Sequence, residues 1–421
     1  MGTFLLRCAL FGACSISTVV LAESTDVSGQ LRGYWMDRPL ADAGPLAQAN
    51  LIQPGVAATT LSVATLQAEL HGSANVDAIT LNSTVTLQTH SLENGAREIG
   101  HDNDGWVNEA YASGKALGWQ WSVGRKVVSW DVGYAFRPND VVQQERRRTL
   151  AAEALTGRPL LAVEHFDADT AWSLVWVNPI EPQSNTGVQE AALAARVYQR
   201  SGAVDWHGFA RQGEHTGTSL GMAAAWVATD AIELHASLRA YQHVDSSVST
   251  NTGSSLSTTS PWQPTLAGAG QQILVGGTYA NAAQVSLLVE AWHDENALTD
   301  AQWSAWTARN QALPLGLAQR VSAIAVAANL AWQSNAFGVS NSLRRDNVFA
   351  RLTWQHDRWQ TAIDVLYTPA DRGVIATASA VWSGERFKLE AGLRSHYGPG
   401  DAVVRQLPVQ RQSYAVGTWA F

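Results

Sequence analysis

Cysteine occurs only at Cys8 and Cys14, so nothing further along the chain can build a disulfide framework or a thiolate metal site. Lysine is nearly absent too: Lys115, Lys126 and Lys388 leave arginine to supply the other 25 of 28 basic residues. Beyond Ala22 no run approaches the roughly 20 continuous apolar residues of a transmembrane helix. There is no glycine-rich phosphate cradle, no H-E-x-x-H and no nucleic-acid module. These gaps exclude nucleic acid as a partner and imply no cofactor and no metal. A propeller or solenoid repeat is also missing.

What is present begins with a leader. MGTFLLRCALFGACSISTVVLA combines one basic residue, Arg7, an apolar stretch and Val20-Leu21-Ala22 before polar ESTD, the form of a secretory signal. The expectation is removal of residues 1–22 and a mature chain starting at Glu23. A lipoprotein signal using Cys14 fits less well, because Phe11-Gly12-Ala13 is a poor match and apolar residues continue past it.

The remaining chain could be two or three soluble domains or one large barrel, and its alternation favours the barrel. In Arg386–His396, Phe387, Leu389, Ala391 and Leu393 share one face, while Lys388, Glu390, Arg394 and His396 share the other. Ile232, Leu234, Ala236 and Leu238 alternate with Glu233, His235, Ser237 and Arg239; Val348, Ala350, Leu352 and Trp354 alternate with Phe349, Arg351, Thr353 and Gln355. Similar alternation runs through 66–71 and 205–211. Runs of about 9–12 residues match a tilted bilayer-spanning strand and exceed the usual ~5–6 of soluble sheets. Short turns (for example 73–76, 167–170, 229–231 and 281–283) alternate with longer connections at 38–60, 91–104, 129–159, 244–270 and 294–320. That asymmetry is characteristic of outer-membrane barrels. The last strand, Tyr414–Phe421, carries Trp419 and a terminal Phe421 on one face and resembles the C-terminal strand that outer-membrane barrels present to the barrel-assembly machinery.

The expected fold is therefore all-β: a transmembrane antiparallel up-and-down barrel of about 18 strands (range roughly 16–20) with a helical loop insert. Nineteen segments read as strands, with Phe337–Leu343 as a faint twentieth. Residues 23–421 form one domain, facing outer-membrane lipid and lipopolysaccharide.

The insert is Ser129–Pro159. Asn139 or Asp140 stands where an N-cap would, and Val141–Leu155 reads as a short helix closed by Gly157 and Pro159. Folded into the lumen, it would set a constriction; lying outside, its arginines would meet lipopolysaccharide phosphates. The formal net charge is −8, yet positive residues gather at this insert. Candidate pore-lining and constriction residues are Arg125, Arg137, Asp140, Glu145, Arg146, Arg147 and Arg148 in and beside it. On the polar strand faces Glu233, Arg239, Arg351, Glu390 and Arg394 join them. Arginines facing carboxylates across an opening would favour small polar solutes.

A second insert, Leu298–Leu313, has Thr299 as N-cap and Trp303 and Trp306 on one helical face. They could form a sugar platform or fasten the helix to the rim. Trp106, Trp119, Trp121, Trp172, Trp176, Trp354 and Trp382 fit an interfacial girdle. His165 and Asp167 sit two apart on one strand face, a geometry open to a metal or an acid–base pair, with nothing else to support an enzyme.

Gly124-Arg-Lys-Val-Val-Ser-Trp-Asp-Val-Gly-Tyr-Ala-Phe-Arg-Pro-Asn-Asp-Val-Val142 resembles porin-like barrels of Gram-negative bacteria, in which a strand ending G-R/K precedes W-x-x-G-Y-x-x-x-P-x-D. Alginate-export-like and related porin families are similar here. The resemblance implies a channel for passive diffusion of small hydrophilic solutes, with anions included, and no enzymatic activity. Alternatives are an exporter of an anionic polysaccharide, an outer-membrane hydrolase, a plugged structural barrel or a soluble β-protein.

Overall fold

The computed structural model describes residues 24–57, 60–94, 97–144, 155–180 and 186–421. Eleven strands come first: β1 (Ser24–Pro39), β2 (Thr60–Val76), β3 (Ile79–Asn94), β4 (Arg97–Ala116), β5 (Trp119–Lys126), β6 (Arg158–Phe166), β7 (Thr170–Val177), β8 (Ala192–Ser201), β9 (Val204–Gly213), β10 (Gly217–Thr229) and β11 (Ile232–Tyr241). A separate two-stranded hairpin, β12 (Val244–Ser249) and β13 (Trp262–Ala267), follows. Then come β14 (Gly270–Ala280), β15 (Val285–Asp294), β16 (Asp346–His356), β17 (Trp359–Thr368), β18 (Gly373–Ser383), β19 (Phe387–Tyr397) and β20 (Arg411–Ala420).

Every neighbour pairs antiparallel, and β1 pairs with both β2 and β20, which closes an 18-stranded barrel. Closure leaves no unpaired edge, a requirement for backbone inside a bilayer. The predicted alternation holds on the wall: Leu66, Leu234, Leu352, Trp354, Phe387, Leu389 and Leu393 are exposed on the outer face. Gln67, His235, Ser237 and His396 are buried on the inner one.

The connections at one end are all short, and every long connection lies at the other end, where β3–β4, β9–β10 and β17–β18 are also joined closely. Between β4 and β5 the turn is only Leu117–Gly118, at φ 52° and 80°, the left-handed pair of a two-residue hairpin. Leucine is a poor residue for that conformation, so this turn carries no sequence signal.

Three expectations are corrected. The predicted loop 91–104 is largely strand: β3 runs to Asn94 and β4 resumes at Arg97. Polar residues there reflect a wall that is taller at β1–β4, at 16 to 20 residues per strand, not a break in the ladder. Phe337–Leu343 is no strand; a 3-10 turn ends at Gly338, and Ala336, Val339 and Leu343 pack with the tryptophans of the second insert. The helix predicted at Val141–Leu155 does not start as one, since Val141–Gln143 form a turn, and residues 145–154 lie outside the described residues.

Helices cap the end with long connections. α1 (Pro45–Ile52) belongs to the β1–β2 connection; α2 (Asp300–Ala312) and α3 (Ala323–Trp332) belong to the β15–β16 connection. Thr299 and Gln302 form the reciprocal capping box at the start of α2. Trp303 and Trp306 are buried, donating to the carbonyls of Leu343 and Gln333, so they fasten the helix and present no face to a sugar. Ala49 of α1 packs with Val326, Ala327 and Leu330 of α3, joining two connections that leave the barrel far apart in sequence.

Candidate constriction in the lumen

The chain between β5 and β6 turns inward, and the wall there is built to receive it. β7 reads Thr-Ala-Trp-Ser-Leu-Val-Trp-Val, with Trp172, Leu174 and Trp176 outward and Ala171, Ser173, Val175 and Val177 inward. A strand apolar on both faces expects cover on both. Trp130, Val141 and Val142 of the insert supply it, packing on Leu160, Ala162, Val175, Val177, Ala194, Phe209 and Ala223.

From that footing the insert reaches β11, β15 and β16. Asp131 accepts a 2.7 Å bond from the Ser237 hydroxyl. The Asn139 amide donates to Ser237 Oγ at 2.8 Å and to the Leu238 carbonyl at 3.1 Å. Phe136 stacks on Trp292, with ring centroids 5.4 Å apart. The firmest attachment is Glu290 on β15, which is fully buried. Its two carboxylate oxygens accept the backbone N–H groups of Tyr134 (2.6 Å) and Ala135 (2.7 Å), and His235 Nε2 lies 3.1 Å away. His235 Nδ1 in turn meets Glu233 at 3.1 Å, so the imidazole bridges two carboxylates.

Burial pushes the Asp131 carboxyl above the usual carboxylate range, against the opposing pull of the Asn139 N–H, the Ser237 hydroxyl, the Val132 N–H and the Arg137 charge. Close approach also needs an absent side chain. A Cβ at Gly221 on β10 would stand 1.7 Å from Asn139 Oδ1. Gly221→Ala should therefore displace the insert, with a lesser strain where the Cβ comes within 2.9 Å of the Leu238 carbonyl on the neighbouring strand. A changed conductance with unchanged heat-modifiable migration on a detergent gel is the expected result.

The far side of the insert meets charge. The Arg351 guanidinium donates to the Tyr134 hydroxyl at 2.6 Å and lies 3.5 Å from Asp364. Arg351, Asp364, Thr377 and Arg394 are register partners across β16 to β19, forming an inward-facing belt. Arg394 Nε donates to Thr377 Oγ1 at 3.0 Å. Glu390, two pleat repeats from Arg394 along β19, accepts from the Tyr414 hydroxyl at 2.9 Å.

Among the other sequence candidates, Arg239 donates to the Pro138 carbonyl and to Ser219, both at 3.3 Å. Arg137 folds back on Gly133 and Ser129, and Asp140 is buried, accepting the Trp130 N–H. Arg125 falls on the outward register of β5, opposite Ala110 and Pro159, and its guanidinium donates to the Gly157 carbonyl. Glu145, Arg146, Arg147 and Arg148 lie outside the described residues. Glu290 was missed, although its signal was available: it is the one carboxylate in the middle of the apolar run Val285–Trp292. Trp106, expected in the girdle, instead pairs with buried Thr86 on the inward register.

Two arrangements bear on catalysis. Gly217-Thr218-Ser219-Leu220-Gly221 has the spacing of a nucleophile elbow, but it runs straight through β10 and not through a strand–turn–helix corner. His165 and Asp167 are 3.4 Å apart at the short-turn end, and Trp119 packs on the imidazole.

No known protein-family profile matches the chain, and no curated protein sequence matches it. Solved structures do. OccK8 (OprE) of Pseudomonas aeruginosa is 9% identical over 95% of this chain and 98% of its own, with a TM-score of 0.54. OmpF of Salmonella typhi, in complex with daunomycin, is 10% identical over 94% and 97%, at 0.45. A triple mutant of the Rhodopseudomonas blastica porin is 12% identical over 94% and 100%, at 0.42. At such identities the likeness to OccK8 establishes the fold alone: a porin-like, closed 18-stranded antiparallel β-barrel.

Proposed function

We propose that this protein is a channel of the bacterial outer membrane, passing small hydrophilic solutes by diffusion and favouring anions. One observation carries the reading. The insert leaves and re-enters the wall at β5 and β6, yet it is bonded to Ser237, Glu290 and Arg351 on β11, β15 and β16. A segment held across the bore in this way narrows a barrel otherwise wide enough for an open aqueous channel. The preference for anions is supported by the belt facing the insert, in which Arg351 and Arg394 flank the single carboxylate Asp364. Charged side chains lining a pore select ions by sign. Outside, the exposed apolar belt would meet lipid and lipopolysaccharide. Phe421, exposed and packed on Trp419 at 5.1 Å, would present the last strand to the assembly machinery.

Planar-bilayer recording tests this directly. Replacing 129–157 by a short Gly/Ser turn should raise single-channel conductance and blunt ion selectivity. The Arg351→Glu, Arg394→Glu pair should move the reversal potential in a salt gradient towards cations. A folded wild-type barrel that never conducts would refute the proposal.

A further inference from the structure

Away from the insert, the tall wall at β3 and β4 carries a cluster that none of the preceding argument uses. His90 on β3 stands directly opposite Asp102 on β4, and Asp104 lies two residues along the same inward face. One ligand atom from each of the three lies within 4.8 Å of the other two, and His90 Nδ1 is 4.0 Å from Asp104 Oδ2.

Three features of the site are incomplete as they stand. First, His90 Nδ1 is shielded from solvent and has no hydrogen-bond partner. Second, Asp102 and Asp104 are like charges side by side on one strand, and among the described residues no arginine or lysine pairs with either. In a chain with 25 arginines that is a conspicuous omission. Third, Thr65 sits opposite His90 on β2, facing the same way; it is 5% exposed, and its hydroxyl also lacks a partner. A buried polar group without a partner costs roughly 1–3 kcal/mol, so native structures rarely leave two adjacent ones.

We infer that His90, Asp102 and Asp104 bind a divalent transition-metal cation, Zn²⁺ being the natural occupant, on the inner wall near the end with the long connections. One cation supplies what each group lacks: it takes the lone pair of His90 Nδ1, neutralises both carboxylates, and can carry a water to the Thr65 hydroxyl. The imidazole sets the class of metal. Zn²⁺ accepts imidazole nitrogen and carboxylate oxygen at about 2.0–2.2 Å in a four-coordinate set, whereas Ca²⁺ and Mg²⁺ prefer all-oxygen sites. Three protein ligands leave one position open to water or to a passing solute. Asp102 is exposed and His90 and Asp104 are on facing strands, so small side-chain rotations suffice to close the cluster onto the ion.

The experiment is calorimetric titration of Zn²⁺ into the full chain folded in detergent micelles, which reads binding whether or not the barrel conducts. One equivalent should bind, and His90→Gln and Asp104→Asn should each weaken binding by at least about tenfold, since losing even an outer-shell partner costs 10–100-fold. Mg²⁺ at the same concentration should give no comparable heat. Heat-modifiable migration identifies any variant that fails to fold; Asp102→Asn then serves in its place. Unchanged affinity in folded His90→Gln, or equal binding of Mg²⁺, would overturn the inference and reduce the cluster to surface carboxylates screening cations.

Discussion

Glu290→Ala should loosen the insert without opening the barrel. The carboxylate is the only group on β15 that holds the backbone of Tyr134 and Ala135, and it does so with both oxygens from a fully buried position. Hydrogen bonds to a charged acceptor contribute about 1.5–3 kcal/mol each, and removing one partner of a buried charged network costs about 3–5 kcal/mol. The strand ladder of β14, β15 and β16 does not involve the side chain, so closure persists. Nor does the packing of Trp130, Val141 and Val142 on the opposite wall, so the insert stays rooted at that end. The expected record is a larger mean conductance with increased open-channel noise, from a barrel that still migrates as folded. Glu290→Gln keeps one acceptor oxygen and should fall between. Traces indistinguishable from wild type would mean that apolar packing alone holds the insert.

Arg211→Ala should have the largest effect on stability. Arg211 on β9 is buried and reaches Glu190 at 2.6 Å and the Gly187 carbonyl at 2.8 Å, tying residues 187–190 to the wall. Glu190 also accepts the Thr216 hydroxyl at 2.5 Å, the Thr216 N–H at 2.9 Å and the His215 N–H. Without the guanidinium, a buried carboxylate loses its counter-charge, at about 3–5 kcal/mol. Gly213 makes room for this knot, since a Cβ there would lie 2.2 Å from Glu190 Oε1, and Gly213→Ala should weaken it by a different route.

The pH dependence of this knot has a definite sign. Burial pushes the Glu190 carboxyl up, but the Thr216 hydroxyl, the Arg211 charge and the Thr216 and His215 N–H groups outweigh it and hold the group below its ordinary value. A depressed carboxyl stabilises fully above its unfolded value, near ~4.3, and the contribution is lost as pH falls through the lower folded one. Urea titrations of the lipid-embedded barrel should show wild type losing stability on acidification below about pH 4, while Arg211→Ala, destabilised at pH 7, loses little more. Equal midpoints at pH 7 would show that the knot does not limit stability.

The wall was legible because apolar outer and mostly polar inner positions give most strands a period of two. Leu352 against Arg351 and Leu389 against Glu390 declare their faces with no knowledge of their neighbours. Several inserts were legible as interruptions of that period, and Thr299 marked the start of α2 correctly. Local pattern failed where a residue's role depends on a distant partner. Val141–Gln143 resembles the start of a helix, yet it is shaped by the apolar inner wall from β6 to β10 that it covers. Leu117 turns a hairpin in a conformation that leucine rarely adopts, because the flanking strands hold it there.

The sequence by itself therefore determined that the chain is a barrel and how the two faces of its most regular strands divide, since both follow from a period of two. Only the tertiary structure decided that the first insert is bonded across the lumen, that Glu290 receives it, that Arg211 and Glu190 meet, and that His90, Asp102 and Asp104 converge. Those contacts join residues as far as 217 positions apart, from Tyr134 to Arg351, and their register is set by closure of the whole barrel.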